Sequence, residues 1–307
     1  MTGQNIAVIG GGLMGHGIAY LLAAAGHRAA IFEPVAEVRA SLRQRLTTIA
    51  DLLEDDPAVL DRIEAHDQLA SAARGAQFVF EAAPEKLPLK RQLFAELEAL
   101  VAPDTILASN SSAIPTTEIA RDLNRRERVV GTHFWNPPHL VPLVEVIQNE
   151  WTSRETLART MELLRSAGKT PVHVRKDIPG FIGNRLQHAL KREAIALVAA
   201  GVCDAETLDT VVKKGFGARM AVLGPMEQSD LVGLDLTLDI GNVLIADLDR
   251  SSAPHPFLIE KVKAGRLGMR TGEGLRRWTK QQADEVCSRL SAFLAAQAKV
   301  QRRRSTA

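Results

Sequence analysis

His133 and Glu145 are the residues of this chain whose types and spacing most plainly offer chemistry. Both lie in the stretch from Gly131 to Val146, which reads GTHFWNPPHLVPLVEV. An imidazole titrates near neutrality, and one oriented by a carboxylate serves as a general base. Pro137, Pro138 and Pro142 exclude a helix between the two residues. Val129 and Val130 lead into His133 as the end of a buried strand would, and Leu143 to Ile147 alternates as a short strand does. Two extended pieces joined by a proline turn would fold the imidazole and the carboxylate toward each other. A histidine beside a strand is often only a satisfied polar group, so the catalytic reading needs a cofactor that requires a base.

The start of the chain supplies one. Ile6 to Ile9 is a β-branched run typical of a strand buried on both faces. It is followed by Gly10-Gly11-Gly12-Leu13-Met14-Gly15, which fits GxGxxG, and then by a helical pattern to Ala25. Gly10 permits the tight turn, Gly12 lets the backbone approach a pyrophosphate, and Gly15 lets the helix pack close on the strand. Leu13 and Met14 complete the loop, and the helix N-terminus behind them favours phosphate. A second strand, Ala29 to Phe32, ends at Glu33, placed to bind the adenosine ribose hydroxyls. Glu33 would repel a 2′-phosphate and no arginine follows it to receive one, so the expected cofactor is NAD.

Farther along, Thr105 to Ala108 delivers the polar cluster Ser109-Asn110-Ser111-Ser112 to a strand's carboxyl end, where ligands of doubly wound sheets gather. The same cluster would also cap the helix after Pro115. The spacing predicts a helix from about Arg154 to Gly168 and a strand at Val172 to Val174. Lys176-Asp177-Ile178-Pro179-Gly180 reads as a hinge, after which only helices are expected. The fold class is therefore α/β, an N-terminal Rossmann-type doubly wound domain over 1–178 followed by an all-α C-terminal domain over 179–307. Residues 35 to 73 read as helical and polar, with Arg39, Arg43 and Arg45 as the cations nearest the cofactor segment.

Composition narrows the function classes. A net charge of +2 and 4% aromatic residues give no basis for nucleic-acid binding. Two cysteines, Cys203 and Cys287, without CxxC spacing argue against a disulfide framework or a metal site and fit a reducing, cytoplasmic setting. No run approaches the roughly 18 apolar residues of a membrane span, and no signal peptide is expected. The basic run Arg302-Arg303-Arg304-Ser305 is expected to be a solvated, unstructured end.

Taken together, Gly10 to Ala19, Glu81 to Glu85, Ser109 to Ser112, His133 to Glu145, Pro179 to Leu186, Gly224 to Gly233 and Gly268 to Gly274 resemble the 3-hydroxyacyl-CoA dehydrogenase family over nearly the whole chain. The resemblance implies NAD as cofactor, a helical domain that serves substrate binding and homodimerisation, and a catalytic pair at His133 and Glu145. It implies substrate contacts at Ser112, Asn184 and Asn136, and cofactor contacts at Glu33, Glu85, Lys90 and Asn110 beside the loop residues Gly10, Gly12, Leu13, Met14 and Gly15. The implied reaction is NAD-dependent oxidation of the 3-hydroxyl of a short-chain 3-hydroxyacyl-CoA, a step of fatty acid metabolism. Three departures keep another substrate open. The region after Glu33 looks short for an arm that holds coenzyme A. The Asn136-Pro137-Pro138 loop with Pro142 is similar to relatives acting on L-gulonate, carnitine or a pyridoxine catabolite. Gly274-Leu275-Arg276-Arg277-Trp278 replaces the family's usual Gly-Phe-Tyr. A non-catalytic, crystallin-like NAD binder is a further alternative, and the intact set His133, Glu145, Ser112 and Asn184 speaks against it.

Overall fold

The computed structural model describes residues 3–305, with side chains through Gln301. The first half alternates strand and helix: β1 (Asn5–Ile9), α1 (Gly15–Ala24), β2 (Arg28–Phe32), α2 (Ala36–Leu53), β3 (Ile63–His66), α3 (Leu69–Ala73), β4 (Phe78–Glu81), α4 (Leu87–Leu100), β5 (Ile106–Ser109) and α5 (Thr116–Ala120). It closes with β6 (Val129–Phe134), β7 (Leu143–Ile147), α6 (Arg154–Ser166) and β8 (Thr170–Val174). These strands form one sheet in the order β3-β2-β1-β4-β5-β6-β7-β8. Pairing is parallel except between β6 and β7, which run antiparallel. Crossover from β1 outward in both directions is the doubly wound Rossmann-type plan.

The strand sequences explain why the sheet is buried on both faces. Val8, Phe78, Phe80, Ile106 and Val130 point into one core with Ile18 and Leu22 of α1. Ala7, Ile9, Val79, Leu107 and Val129 alternate with them into a second core with Phe94 and Leu97 of α4. This period-2 division lets near-continuous apolar runs serve two layers of helices. Full burial of each large side chain contributes about 1.5–3 kcal/mol before chain entropy is counted.

β3 corrects the expectation that 35–73 is wholly helical. Its sequence Ile-Glu-Ala-His is short and half polar because it forms the sheet edge beside β2, where one row of backbone groups stays unpaired and no apolar run is required. Between α2 and β3 stands a 3-10 helix over Pro57–Arg62 and no second α-helix.

The remaining elements are α7 (Gly183–Ala199), α8 (Ala205–Lys214), α9 (Pro225–Val232), α10 (Leu234–Leu244), α11 (Pro256–Lys263) and α12 (Lys280–Ser305). Their starts carry clear signals. Asp204 caps α8 through Thr207 N at 2.7 Å, and Pro225 and Pro256 occupy first-turn positions of α9 and α11. Backbone contacts divide the chain into two compact units, 1–184 with 290–307, and 185–289. The end of α12 belongs to the first unit, where Ala295 and Ala298 pack with Tyr20, Leu46 and Leu140. The helical backbone continues to Ser305, and the side chains of the basic run 302–305 lie outside the described set. In the second unit, no hydrophobic side chain between 185 and 289 is buried. Among the described residues, no helix is long and apolar enough to cross a membrane, and no cluster of His, Cys, Asp or Glu could hold a metal ion.

Candidate active site

At the carboxyl end of β1 the chain turns through Gly10, whose φ of 104° no L side chain adopts readily. A Cβ on Gly15 would stand 1.8 Å from the Gly10 carbonyl oxygen, so the helix can approach the strand this closely only without a side chain. Gly12 differs, because a Cβ there would meet nothing within 4 Å. The loop therefore presents open space at Gly12, and α1 begins behind it with no side-chain cap on its first N–H groups. Such a cradle fits a dinucleotide pyrophosphate. Leu13 is 66% exposed at the mouth of the loop, while Met14 packs against the core.

Glu33, buried at the end of β2, accepts from Gly11 N at 2.8 Å and from Val35 N at 2.9 Å. Its carboxylate thus ties the glycine loop to the start of α2. Arg39 folds back beside it, donating to the Glu33 carbonyl oxygen at 2.8 Å. An arginine does accompany Glu33 after all, one helical turn into α2. Arg45 donates to Gly11 O at 2.9 Å and Gly12 O at 3.1 Å, and its Nη2 lies 2.8 Å from His16 Nδ1. Burial, together with the Arg45 charge, pushes the His16 imidazole below its ordinary range despite its contact with Gly12 O. Arg43 reaches the Leu60 carbonyl oxygen at 3.5 Å. Arg39, Arg43 and Arg45, the cations nearest the cofactor segment, are thus spent largely on backbone carbonyls of their own unit.

The β6–β7 pairing places His133 directly opposite Glu145. Directly opposed residues of an antiparallel pair project on the same face. His133 Nδ1 lies 2.8 Å from Glu145 Oε2, and both side chains are buried. The other carboxylate oxygen accepts from Ile182 N and Gly183 N, each at 3.0 Å, where α7 begins. Burial raises the Glu145 carboxyl, but the His133 contact and the two backbone N–H groups outweigh it and hold the carboxyl below its ordinary range. A carboxylate held anionic here fixes Nδ1 as the protonated nitrogen and leaves Nε2 to exchange a proton.

The turn into α7 is built around Phe181, a non-glycine residue at φ 51° that is buried against the imidazole at a ring separation of 5.5 Å. On the imidazole's other neighbour, Trp135, the ring separation is 5.4 Å. Gly183 makes room for that indole, since a Cβ at 183 would come within 2.3 Å of it. Asn136, next in the loop, is exposed and precedes a cis peptide bond to Pro137.

The polar cluster after β5 is anchored from beneath. Glu85 Oε1 accepts from Ser111 Oγ at 2.5 Å and from the backbone N–H groups of Ser112, Ala113 and Ile114 at 3.0, 2.9 and 3.2 Å. Burial raises the Glu85 carboxyl, and these hydrogen bonds with the Lys90 charge bring it below its ordinary range. Lys90 is 1% exposed, with its Nζ 2.7 Å from Glu81 Oε1 and 3.4 Å from Glu85 Oε2. It sits behind Glu85 and steadies that carboxylate. Asn110 Oδ1 accepts from Phe134 N at 2.9 Å, and Asn184 Nδ2 donates to the Ser112 carbonyl oxygen at 3.0 Å. Through these bonds the structure brings Ser112, Asn110, Asn184, His133 and Glu145 into one cluster.

Sequence reasoning missed Phe181, Trp135, Glu81 and Arg45 as parts of this assembly. Glu81 and Glu85 bound a segment already singled out, while Lys90 lies five residues beyond it. Nothing local marks Arg45, whose carbonyl partners Gly11 and Gly12 lie 34 and 33 residues earlier in the chain.

Residues 5–178 match the model of the 3-hydroxyacyl-CoA dehydrogenase NAD-binding domain, and residues 180–278 match that family's C-terminal domain. The chain is 39% identical over 284 residues to the 5-formyl-3-hydroxy-2-methylpyridine 4-carboxylate 5-dehydrogenase of Mesorhizobium japonicum, covering 91% of this chain and 92% of that one. A crystal structure of a 5-dehydrogenase for the same pyridine acid, described as an NAD+-dependent dismutase, superposes with a TM-score of 0.91 at 36% identity, covering 98% of this chain and 99% of that one. The (S)-3-hydroxybutyryl-CoA dehydrogenase structure from Ralstonia eutropha gives a TM-score of 0.73 at 30% identity, covering 89% and 98%.

Proposed function

Because the chain belongs to the 3-hydroxyacyl-CoA dehydrogenase family and is an NAD-dependent dehydrogenase acting on a CH–OH group, we propose that it oxidises a small carboxylate substrate free of coenzyme A, with His133 as proton acceptor. The observation that carries the chemistry is the His133–Glu145 pair, buried and 2.8 Å apart. Bound NAD supplies the two-electron acceptor. His133 Nε2 takes the hydroxyl proton, while Glu145 holds the imidazole in one tautomer and stabilises the imidazolium that forms. Ser112 and Asn184 hold the reacting oxygen, where charge develops. Gly10, Gly12, Leu13, Met14 and Gly15 cradle the pyrophosphate, and Glu33 takes the ribose. Glu85, backed by Lys90, and Asn110 shape the loop on the nicotinamide side. Asn136 stands at the rim, where it would meet the substrate's carboxylate.

The substrate class follows from three supports. The whole-chain fit favours the pyridine-carboxylate dehydrogenase over the acyl-CoA enzyme. Arg39, Arg43 and Arg45 are occupied by backbone carbonyls, which weakens any grip on coenzyme A phosphates. Trp135 sets an indole beside the base, suited to a flat heterocycle. A formyl group enters the same chemistry once hydrated, because its hydrate carries the C–H and O–H that the site removes. A short-chain 3-hydroxyacyl-CoA, and with it a place in fatty acid metabolism, is the second reading, supported by the family and the Ralstonia enzyme. The division into an NAD-binding part over 1–178 and a substrate and homodimerisation part over 179–307 belongs to the proposal, as does a cytoplasmic location, which the free Cys203 and Cys287 suit.

Steady-state rates at fixed NAD test the substrate. The pyridine aldehyde acid, L-carnitine and L-gulonate are compared with 3-hydroxybutyryl-CoA. The expected result is a higher kcat/KM for one of the free acids by about tenfold or more, equivalent to about 1.4 kcal/mol of transition-state binding. A preference for the CoA ester overturns it.

Cofactor choice gives a separate prediction. Glu33→Ala removes the acceptor shared by Gly11 N and Val35 N and leaves Arg39 beside the ribose site. Hydrogen bonds to a charged group contribute about 1.5–3 kcal/mol, so NAD affinity should fall by about tenfold or more. NADP affinity should rise, because a repelling carboxylate is lost while a guanidinium stays. Fluorescence titration of both cofactors measures it, and an unchanged preference removes Glu33 from the ribose site.

A further inference from the structure

We propose that Arg45 is a positioning residue for the cofactor's pyrophosphate: by holding the carbonyls of Gly11 and Gly12, it turns the N–H groups of Gly12 and Leu13 toward the diphosphate. The inference rests on the pyrophosphate lying on the Gly10–Gly15 loop, as proposed above. It adds to that loop a residue of α2 that the glycine motif does not contain.

Glycine is free in φ and ψ, so Gly10-Gly11-Gly12 has no intrinsic reason to keep one arrangement of its peptide planes. Contacts must select it. Gly10 N donates to the Phe32 carbonyl oxygen at 2.8 Å, and Gly11 N donates to Glu33 Oε2 at 2.8 Å. Those two N–H groups are therefore satisfied inside the protein. The next two, on Gly12 and Leu13, donate to no atom of the described residues.

The carbonyls that share peptide planes with these two donors are the ones Arg45 takes. Arg45 Nη1 donates to Gly11 O at 2.9 Å, and Nη2 donates to Gly12 O at 3.1 Å. Both peptide bonds are trans, and in a trans peptide the C=O and N–H of one plane point in opposite directions. A Gly11 carbonyl drawn toward Arg45 thus sends the Gly12 N–H to the far side. The Gly12 carbonyl does the same for the Leu13 N–H. Two successive unpaired donors facing away from the guanidinium make a concavity suited to an anion. Gly12 also borders open space, since a Cβ there would meet nothing within 4 Å.

α2 is built to hold this arrangement. Leu42 and Arg45 stand three residues apart and share a helix face. A Cβ on Gly11 would come within 3.1 Å of Leu42 Cδ2, so Leu42 packs on the loop beside the point where Arg45 reaches its carbonyls. His16, in the first turn of α1, closes the cluster: its Nδ1 lies 2.8 Å from Arg45 Nη2 and 2.6 Å from Gly12 O. Arginine suits the task because its planar fork engages two acceptors at once and stays charged at every working pH. Its charge also has the favourable sign for a diphosphate on the other side of the loop.

The test is a ratio of affinities in the full chain, read by displacement of NADH fluorescence. ADP-ribose carries the pyrophosphate, whereas adenosine fills only the nucleoside site that Glu33 serves. The wild type should prefer ADP-ribose strongly. Arg45→Met keeps the aliphatic stem and removes the donors. It should weaken ADP-ribose and NAD by about tenfold or more, as expected for the loss of hydrogen bonds from a charged group, and leave adenosine unchanged. Arg45→Gln should move the ratio in the same direction and serves where the Met variant unfolds, with circular dichroism melts of the unliganded proteins reporting the fold. A folded variant that keeps the wild-type ratio overturns the role of Arg45 and leaves the pyrophosphate on the loop. Equal losses for adenosine and ADP-ribose also overturn it, because they report a loop that has lost its structure as a whole. A wild type that binds ADP-ribose no better than adenosine overturns the loop reading itself, and this proposal with it.

Discussion

His133→Gln should lower kcat by about 10²–10⁴-fold, the usual contribution of a positioned acid–base group, while NAD affinity changes little. The reason is local. His133 sits opposite Glu145 across β6 and β7, and β6 stands three strands from β1, whose end carries the Gly10–Gly15 loop that would hold the cofactor. Glu145→Gln should do comparable harm to kcat, because a neutral amide cannot stabilise an imidazolium at Nδ1. It should also change acid stability with a definite sign. The folded carboxyl of Glu145 is held below its ordinary value near 4.5, so its charge contributes stability that is complete above that value. That contribution is lost as pH falls through the lower folded value. Denaturant midpoints measured down through this acid range should therefore drop less steeply in Glu145→Gln than in the wild type. Stopped-flow NADH formation and cofactor titration check the first part. Normal turnover by both variants would reduce the pair to a satisfied buried histidine.

The second large effect separates two glycines of one loop. Gly15→Ala places a methyl group 1.8 Å from the Gly10 carbonyl oxygen, and backbone must move to accept it. Overpacking of this kind costs about 1–3 kcal/mol and occasionally more, and a clash with backbone belongs at the upper end. The variant should lose both thermal stability and NAD binding. At Gly12 a methyl group meets nothing within 4 Å, so Gly12→Ala should unfold where the wild type does. It should nevertheless bind NAD poorly, since the open space at Gly12 is where the pyrophosphate would lie. Thermal melts with and without NAD distinguish the two. A Gly12→Ala protein that NAD stabilises as well as the wild type would move the pyrophosphate off this loop.

Much of the first unit was legible because each part wrote its own local signal. β1, the glycine loop, α1, β2 and Glu33 follow in an order that only one arrangement satisfies, and Pro137 and Pro142 force the turn that opposes His133 to Glu145. β3 was not legible, because an edge strand needs no apolar run. The loop anchors were not legible for a different reason. Arg45 meets Gly11 and Gly12, and Ile182 and Gly183 meet Glu145, through backbone atoms that leave no trace in residue type. The fit of Gly183 to Trp135 shows the same limit, since a glycine after Phe181 reads as a helix start until the indole above it is known. In the second unit the apolar stripes were visible in the sequence, but hydrophobicity alone does not say whether such a stripe faces its own chain. The exposure of Leu238 and Val243 raises that question.

Deuterium tracing tests the central claim most directly. The pyridine aldehyde acid labelled with deuterium on its formyl carbon, and 3-hydroxybutyryl-CoA labelled at C3, are each turned over with NAD, and the reduced cofactor is weighed by mass spectrometry. The account predicts that every turnover of the labelled pyridine acid places one deuterium on the nicotinamide, and that the CoA ester labels it far more slowly. Rapid labelling from the CoA ester with none from the pyridine acid would contradict it.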